Sequence, residues 1–413
     1  MRSTPASFAL AFVSLAACST PAPETPDAAA PDDAAIDAAS DDAGRPDTGP
    51  RQPDAYVRDA SFADAGMTRA DYGNAGPYVV GNVHTTMVDR TGDRMLPVEI
   101  WYPADESARA AATTGQPLLA FEQGGAHEAA LTALLASAPA CVRTTVHSAL
   151  AAPASSAEAT WPAVVFSHCH GCMRYDVAEV AERLASHGIV VAAPDHVDDT
   201  IWEAGSLPAI GPEFLAVRAS DVSSVLDRLL DPTAAELPAD LRGHIDGTRV
   251  AVMGHSYGAL TTGAAVSTDD RFAAALAIAA PISIFGLRPA DVHVPYLYLL
   301  ASEDNSIGAA GNRVIRNDYA AAGAPAWLVE VADAGHWSFS DIAGLTDAFD
   351  AGCGMGMRQD APHAAFTYLD NAEARELASD VAAAFFAITL LEDPAAANEL
   401  SALTAPATVS LHD

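Results

Sequence analysis

The segment Arg249-Val-Ala-Val-Met-Gly-His-Ser-Tyr-Gly-Ala-Leu-Thr-Thr-Gly263 reads as an apolar strand, a Gly-x-Ser-x-Gly turn and a helix of small residues. This is a nucleophile elbow with Ser256 at its tip. Glycines at 254 and 258 let strand and helix approach closely, so the serine sits in a strained turn with its hydroxyl exposed. The next N–H is then turned toward a reacting carbonyl. The bare pentapeptide is a weak signal, and its context strengthens it. Residues 250–253 supply a buried parallel strand, and residues 259–265 a helix able to pack tightly.

A serine nucleophile needs a base and an acid that orients it. After an elbow they follow in the order Ser, Asp/Glu, His, each just past a later strand. Pro295-Tyr-Leu-Tyr-Leu-Leu-Ala301 is an apolar strand ending in Ser302-Glu303-Asp304, and Trp327-Leu-Val-Glu-Val-Ala332 is the next, ending in Asp333-Ala-Gly-His336. His336 is the expected base and Asp304 the expected acid, with Glu303 as the alternative left open. The oxyanion hole is expected to combine the Tyr257 N–H with one from the loop Ser167-His-Cys-His-Gly-Cys-Met-Arg174, which follows the strand at residues 162–166.

Four stretches carry a family resemblance: Val164-Val-Phe-Ser-His168, Gly254-His-Ser-Tyr-Gly258, Gly335-His-Trp-Ser-Phe-Ser340 and Leu96-Pro-Val-Glu-Ile-Trp-Tyr-Pro103. Together they resemble the bacterial α/β-hydrolases grouped with platelet-activating-factor acetylhydrolase, dienelactone hydrolase and polyester-cleaving cutinases, over roughly residues 76–392. The resemblance implies an α/β-hydrolase fold, a mostly parallel eight-stranded sheet with helices on both faces, and carboxylic-ester hydrolysis. It also implies that the second oxyanion donor is the backbone N–H of His170. Two departures matter. Relatives usually carry glycine where this chain has Cys169 and Cys172. The platelet-activating-factor enzymes carry their acid after the strand that follows the elbow, where Ala277-Ile-Ala-Ala-Pro281 offers no carboxylate. The acid is therefore expected one strand later, as in cutinases, which favours Asp304 and weakens an inference of phospholipid specificity. Ser256 stands where dienelactone hydrolases have cysteine, so their chemistry is not implied.

At the N-terminus, Met1-Arg2 begins a short positive region, and residues 8–17 form an apolar stretch too short to span a bilayer. Leu15-Ala-Ala-Cys18 ends that stretch with small residues. This resembles a bacterial lipoprotein signal, with Cys18 lipidated as the mature N-terminus and Ser19 favouring the outer membrane. An ordinary secretory signal is the alternative, and either one exports the chain. Residues 18–75 are rich in Ala, Pro and Asp with almost no large apolar side chains, so they are expected to form a disordered tether. The hydrolase domain is expected over 76–395, with an insertion at about 104–160, and residues 396–413 as a tail.

The formal net charge of −33 and a pI near 4.4 argue against nucleic-acid binding. The 413-residue chain contains no lysine. Ser-Lys hydrolases, Schiff-base enzymes and Walker-type nucleotide sites each need that ammonium and are excluded. Within the domain, helices are expected over 129–136, 177–186, 214–230 and 372–391. The loop 195–212, carrying His196, Trp202 and Leu207, leaves the carboxyl end of its strand, where open α/β sheets bind ligands.

Besides Cys18, the chain has Cys141, Cys169, Cys172 and Cys353, an even number in an exported protein. Three pairings are open, and Cys169–Cys172 with Cys141–Cys353 is preferred. The expected activity is ester hydrolysis through Ser256, His336 and Asp304 on short-to-medium acyl or polyester substrates. No metal or organic cofactor enters it. The expected partners are a small or polymeric ester and a membrane reached through the lipid anchor alone, with the protein a monomer. A catalytically inactive binding module and a Cys-x-x-Cys redox protein are the rival readings. Zinc is disfavoured, because adjacent His and Cys side chains diverge along an extended loop.

Overall fold

The computed structural model describes residues 72–412 apart from 204 and 361–362. The expected signal at 1–17, the expected lipidation site Cys18 and the expected tether up to residue 71 lie outside the described residues. Tyr72, just before the expected boundary at 76, is buried, and its hydroxyl donates to Asp393 at 3.0 Å.

Eight strands form the body of the sheet: β1 (Val79–Val88), β2 (Met95–Ala104), β3 (Trp161–Ser167), β4 (Val190–Pro194), β5 (Ile245–His255), β6 (Phe272–Ile278), β7 (Tyr296–Ala301) and β8 (Ala326–Val331). In space they run β1-β2-β4-β3-β5-β6-β7-β8. β1 and β2 form an antiparallel hairpin through the turn at residues 89–94, β2 meets β4 antiparallel, and the strands from β4 to β8 are parallel.

The expected eight strands become ten. A two-residue strand, Ala149–Leu150, pairs with β1 at one edge. At the other edge β9 (Ala407–His412) pairs antiparallel with β8. The supposed tail at 396–413 thus supplies a strand to the sheet. Alternating Thr408, Ser410 and His412 give that strand too few apolar side chains to announce itself, and an edge strand needs few, because backbone hydrogen bonds to β8 supply its pairing.

Side chains alternate across the parallel strands and feed two apolar layers. Val164, Phe166, Ala251, Met253, Leu276, Leu297 and Leu299 face one side, where α2 (Ala178–Ser186) and α6 (Asn371–Leu390) cover them. Val165, Val250, Val252, Ala275, Tyr296 and Tyr298 face the other, under α3 (Pro212–Leu230), α4 (Tyr257–Thr268) and α5 (Gly308–Ala320). Both faces are covered, so the strands read as continuous apolar runs. In the insertion, α1 (Glu128–Leu135) forms as expected. The segment after it is tied down by the Cys141–Cys353 disulfide and by Arg143, which pairs with Glu182 at 2.5 Å and Asp341 at 3.2 Å.

Candidate active site

The elbow forms where its glycines place it. Ser256 lies between β5 and α4 at φ +57° and ψ −116°, a left-handed conformation that a non-glycine residue holds only under constraint. Its N–H donates to the Ile278 carbonyl at 2.8 Å, which ties the turn to β6. A Cβ at Gly254 would collide with the Gly258 carbonyl, and one at Gly258 with the carbonyl of Ser167. Neither position has room for any other residue.

The carboxyl ends of β5, β7 and β8 bring three side chains into a line. His336 Nε2 lies 2.8 Å from the Ser256 hydroxyl, and His336 Nδ1 lies 2.6 Å from Asp304 Oδ2. These partners assign the tautomer: Nδ1–H donates to the carboxylate, and Nε2 accepts from the serine. Asp304 is fully buried, and its other oxygen accepts from the N–H groups of Ser306 at 2.9 Å and Ile307 at 3.0 Å. Glu303 turns away, pairing with Arg358 at 3.0 Å and accepting from the Gln359 N–H at 2.8 Å. Of the two carboxylates the sequence left open, Asp304 is the one that meets His336.

The backbone N–H groups of Tyr257 and His170 find no acceptor among the described residues. Tyr257 opens α4, where first-turn donors are unpaired by construction. His170 sits in the loop after β3, bracketed by the Cys169–Cys172 disulfide. Its side chain contacts Asp199, with Nδ1 2.6 Å from Oδ1. Asp199 also accepts from the Gly171 N–H at 3.1 Å and pairs with Arg218 of α3. Burial raises the Asp199 pKa, but contact with His170 and the Arg218 charge outweigh it and hold it below the ordinary carboxylate range.

Arg218 was not singled out from sequence, yet its contacts reach both Tyr257 and the loop that carries His170. It is fully buried, donates to the His168 carbonyl and to Ser167 Oγ, and lies 4.8 Å from the Tyr257 ring centroid. Its signal was an arginine inside the apolar stripe of α3 formed by Leu215, Val222, Val225 and Leu229.

Other expectations fare differently. His196, expected to line the ligand loop, is fully buried instead, with Nε2 2.9 Å from Ser167 Oγ and Nδ1 2.9 Å from Asp221. Ser167 at the end of β3 and Asp221 of α3 are both buried polar groups, and the ring bridges them. Trp202 is half-buried and stacks on His127 of the insertion at 4.5 Å, while Leu207 packs over Gly171. The cysteines pair in the preferred way. The sulfurs of Cys169 and Cys172 and a carboxylate oxygen of Asp176 lie within 4.8 Å of one another. A bridged sulfur has no thiolate to offer, so in this oxidised form the trio is not a metal site.

Comparison with known proteins finds ester-hydrolase families and an esterase of similar fold. The profile of the family described as "Platelet-activating factor acetylhydrolase, isoform II" matches residues 67–204, and that of the "Dienelactone hydrolase family" matches residues 147–352. Among curated proteins, the chain is similar to the platelet-activating factor acetylhydrolases of Canis lupus familiaris (30% identical over 153 residues) and Cavia porcellus (27% over 150 residues). Each alignment covers 29% of this chain and 34% of the relative, so the chain spans about a third of the length of the curated relatives it matches. Among solved structures, a ferulic acid esterase from Streptomyces cinnamoneus superposes with a TM-score of 0.58 at 22% identity, covering 81% of this chain and 97% of the other. That likeness speaks to the fold. Strand order, elbow and matched profiles converge on an α/β-hydrolase fold, and the chain is similar to the platelet-activating factor acetylhydrolase and dienelactone hydrolase families.

Proposed function

We propose that the protein is a serine carboxylic-ester hydrolase. The observation that carries this reading is the unbroken line from Asp304 through His336 to Ser256, closed by hydrogen bonds of 2.6 and 2.8 Å at the mouth of a nucleophile elbow. In the first half-reaction His336 Nε2 takes the Ser256 proton as the oxygen attacks the ester carbonyl. The Tyr257 and His170 N–H groups receive the charge that develops on the carbonyl oxygen. The protonated imidazole is stabilised by Asp304 and returns its proton to the departing alcohol. Water, deprotonated by the same nitrogen, then attacks the acyl-enzyme and releases the acid. Each step moves a proton between named atoms of this chain and the substrate, and none calls on a cofactor.

Short-to-medium acyl or polyester substrates fit this reading best. The strand after the elbow ends in Ala279 and Ala280, without the carboxylate expected of phospholipid-cleaving relatives, and Asp304 serves from the next strand. The loop carrying Trp202 and the insertion carrying His127 border the same end of the sheet and set acyl preference. Export with lipidation at Cys18, and a tether holding a monomeric enzyme away from the membrane, complete the proposal.

The test is turnover of a graded series of chromogenic acyl esters by the wild-type chain and by Ser256→Ala. Wild-type hydrolysis, with a loss of about a millionfold in kcat in the variant, supports the enzyme. Absence of turnover across the series, or a variant above a hundredth of wild type, leaves a hydrolase-fold binding module as the better reading.

A further inference from the structure

His255, the residue before the nucleophile, is fully buried, and both of its ring nitrogens face acceptors. Nε2 lies 2.9 Å from the backbone carbonyl of His336, and Nδ1 lies 2.9 Å from Oδ2 of Asp176. A carbonyl oxygen only accepts, so Nε2 carries a proton and donates it there. The contact between Nδ1 and the carboxylate holds a second proton. Asp176 is also fully buried, and its other carboxylate oxygen accepts from Ser340 Oγ. Its backbone carbonyl accepts from the Asp341 N–H at 2.8 Å. Ser340 and Asp341 lie in the loop that carries His336. Trp337 packs edge-on against both rings, with centroids 5.1 Å from His255 and 5.0 Å from His336.

The topology makes this link necessary. Ser256 follows β5 and His336 follows β8, and two strands, β6 and β7, lie between them. No ladder hydrogen bond joins the two tips, so sheet pairing does not set the separation of nucleophile and base. His255 does span it: its backbone is bonded to Ser256, and its ring grips the backbone of His336.

We propose that His255 is a positioning residue for the ester hydrolysis proposed above: its Nε2–H, oriented by Asp176, fixes the distance and angle between Ser256 and His336. Burial pulls the His255 pKa down. The Asp176 carboxylate, the His336 carbonyl and the nearby Asp304 charge outweigh burial and hold it above the ordinary imidazole value, as a ring that donates from both nitrogens requires. An ångström of misplacement in such a line costs on the order of a hundredfold in rate.

Two substitutions separate positioning from packing. In His255→Gln the amide nitrogen falls near the place of Nε2 and keeps a donor for the His336 carbonyl. In His255→Asn the amide reaches only the Asp176 side and that donor is lost. The expected result is a kcat about a hundredfold below wild type for His255→Asn, with KM within about threefold. His255→Gln recovers at least tenfold of that loss, and both variants keep the wild-type circular dichroism spectrum. Equal kcat values in the two variants, or near-wild-type kcat in His255→Asn, overturn the proposal. Because the inference rests on the esterase reading, a second measurement is independent of turnover. In the nitrogen-15 imidazole spectrum of the wild-type protein at pH 7.5, identified by its loss in His255→Gln, Nε2 of His255 carries a solvent-protected proton. An unprotonated Nε2 overturns the proposal whatever the activity, whereas a protonated Nε2 in a protein without ester turnover sinks only the esterase reading.

Discussion

Asp304 Oδ2 lies 2.6 Å from His336 Nδ1, while the neighbouring Glu303 carboxylate is 3.0 Å from Arg358, on the other side of the chain. Successive residues leaving a strand point in opposite directions, so one carboxylate can serve His336 and its neighbour cannot. Two N–H donors hold Asp304 in place, and Glu303 is held by the partly exposed Arg358 instead.

The consequence for activity is a large asymmetry between isosteric variants. Asp304→Asn leaves the imidazole in the wrong tautomer and lowers kcat by about ten-thousandfold near neutral pH. Glu303→Gln costs less than about tenfold, the scale of a neighbouring-charge effect. Assaying both with one chromogenic ester decides the point, and a crippled Glu303→Gln enzyme would reverse the assignment.

Arg218 and Asp199 form a fully buried ion pair behind the loop that carries His170. Arg218→Leu strands the Asp199 charge and lowers stability by about 3–5 kcal/mol in chemical denaturation. Adding Asp199→Leu restores part of that stability by removing the stranded charge. It does not restore kcat, because the His170 side chain has then lost its anchor. Recovery of both quantities together would show that the pair has no part in shaping the anion site.

His168 is the protonation opposite of His255. Its Nδ1 donates to the Cys169 carbonyl at 2.6 Å and its Nε2 accepts from the His196 N–H at 2.9 Å, so the ring fits only as the neutral form. Burial, with the Arg218 charge beside it, pushes its pKa well below the ordinary value. The unfolded chain takes up a proton near pH 6.5 that the folded protein refuses. The stability from this group is therefore present above about pH 6.5 and lost as pH falls below it. Denaturation at pH 7 and pH 5.5 is expected to show about 1 kcal/mol less acid destabilisation in His168→Gln than in wild type. Equal acid sensitivity of the two proteins would contradict this.

The two disulfides differ in access. Cys169 and Cys172 are fully buried, whereas Cys141 and Cys353 are partly exposed and close a loop across 212 residues. Graded reduction followed by alkylation and mass mapping is expected to label Cys141 and Cys353 first. Opening that bridge lowers stability by about 2–5 kcal/mol, because it pins the insertion to the His336 loop. Labelling of Cys169 and Cys172 at the lowest reductant concentrations would refute the order.

Much of this was legible in the chain because the signals are local. The strand before Ser256, the elbow glycines, and the apolar strands ending at Asp304 and His336 are each written within a dozen consecutive residues. The helix expected at 372–391 forms at Asn371–Leu390 for the same reason, since its apolar spacing is contained in its own sequence. The edge strand Ala407–His412 was missed because its pairing is decided by the backbone of β8 and not by its own side chains.

By itself the sequence determined the order of elements, the placing of Ser256 at an elbow and of His336 just past a later strand, and the covered parallel sheet, all of which follow from periodicity and from steric demands on a few glycines. It favoured Asp304 while leaving Glu303 open, and was silent on Asp199, Arg218 and the His255–Asp176 pair. Those were decided by tertiary structure alone, because each depends on which partner stands within about 3 Å of a side chain, and those partners lie 19 to 79 residues away in the chain. A buried charge or imidazole is specified by its neighbours, and the neighbours exist only once the strands have assembled.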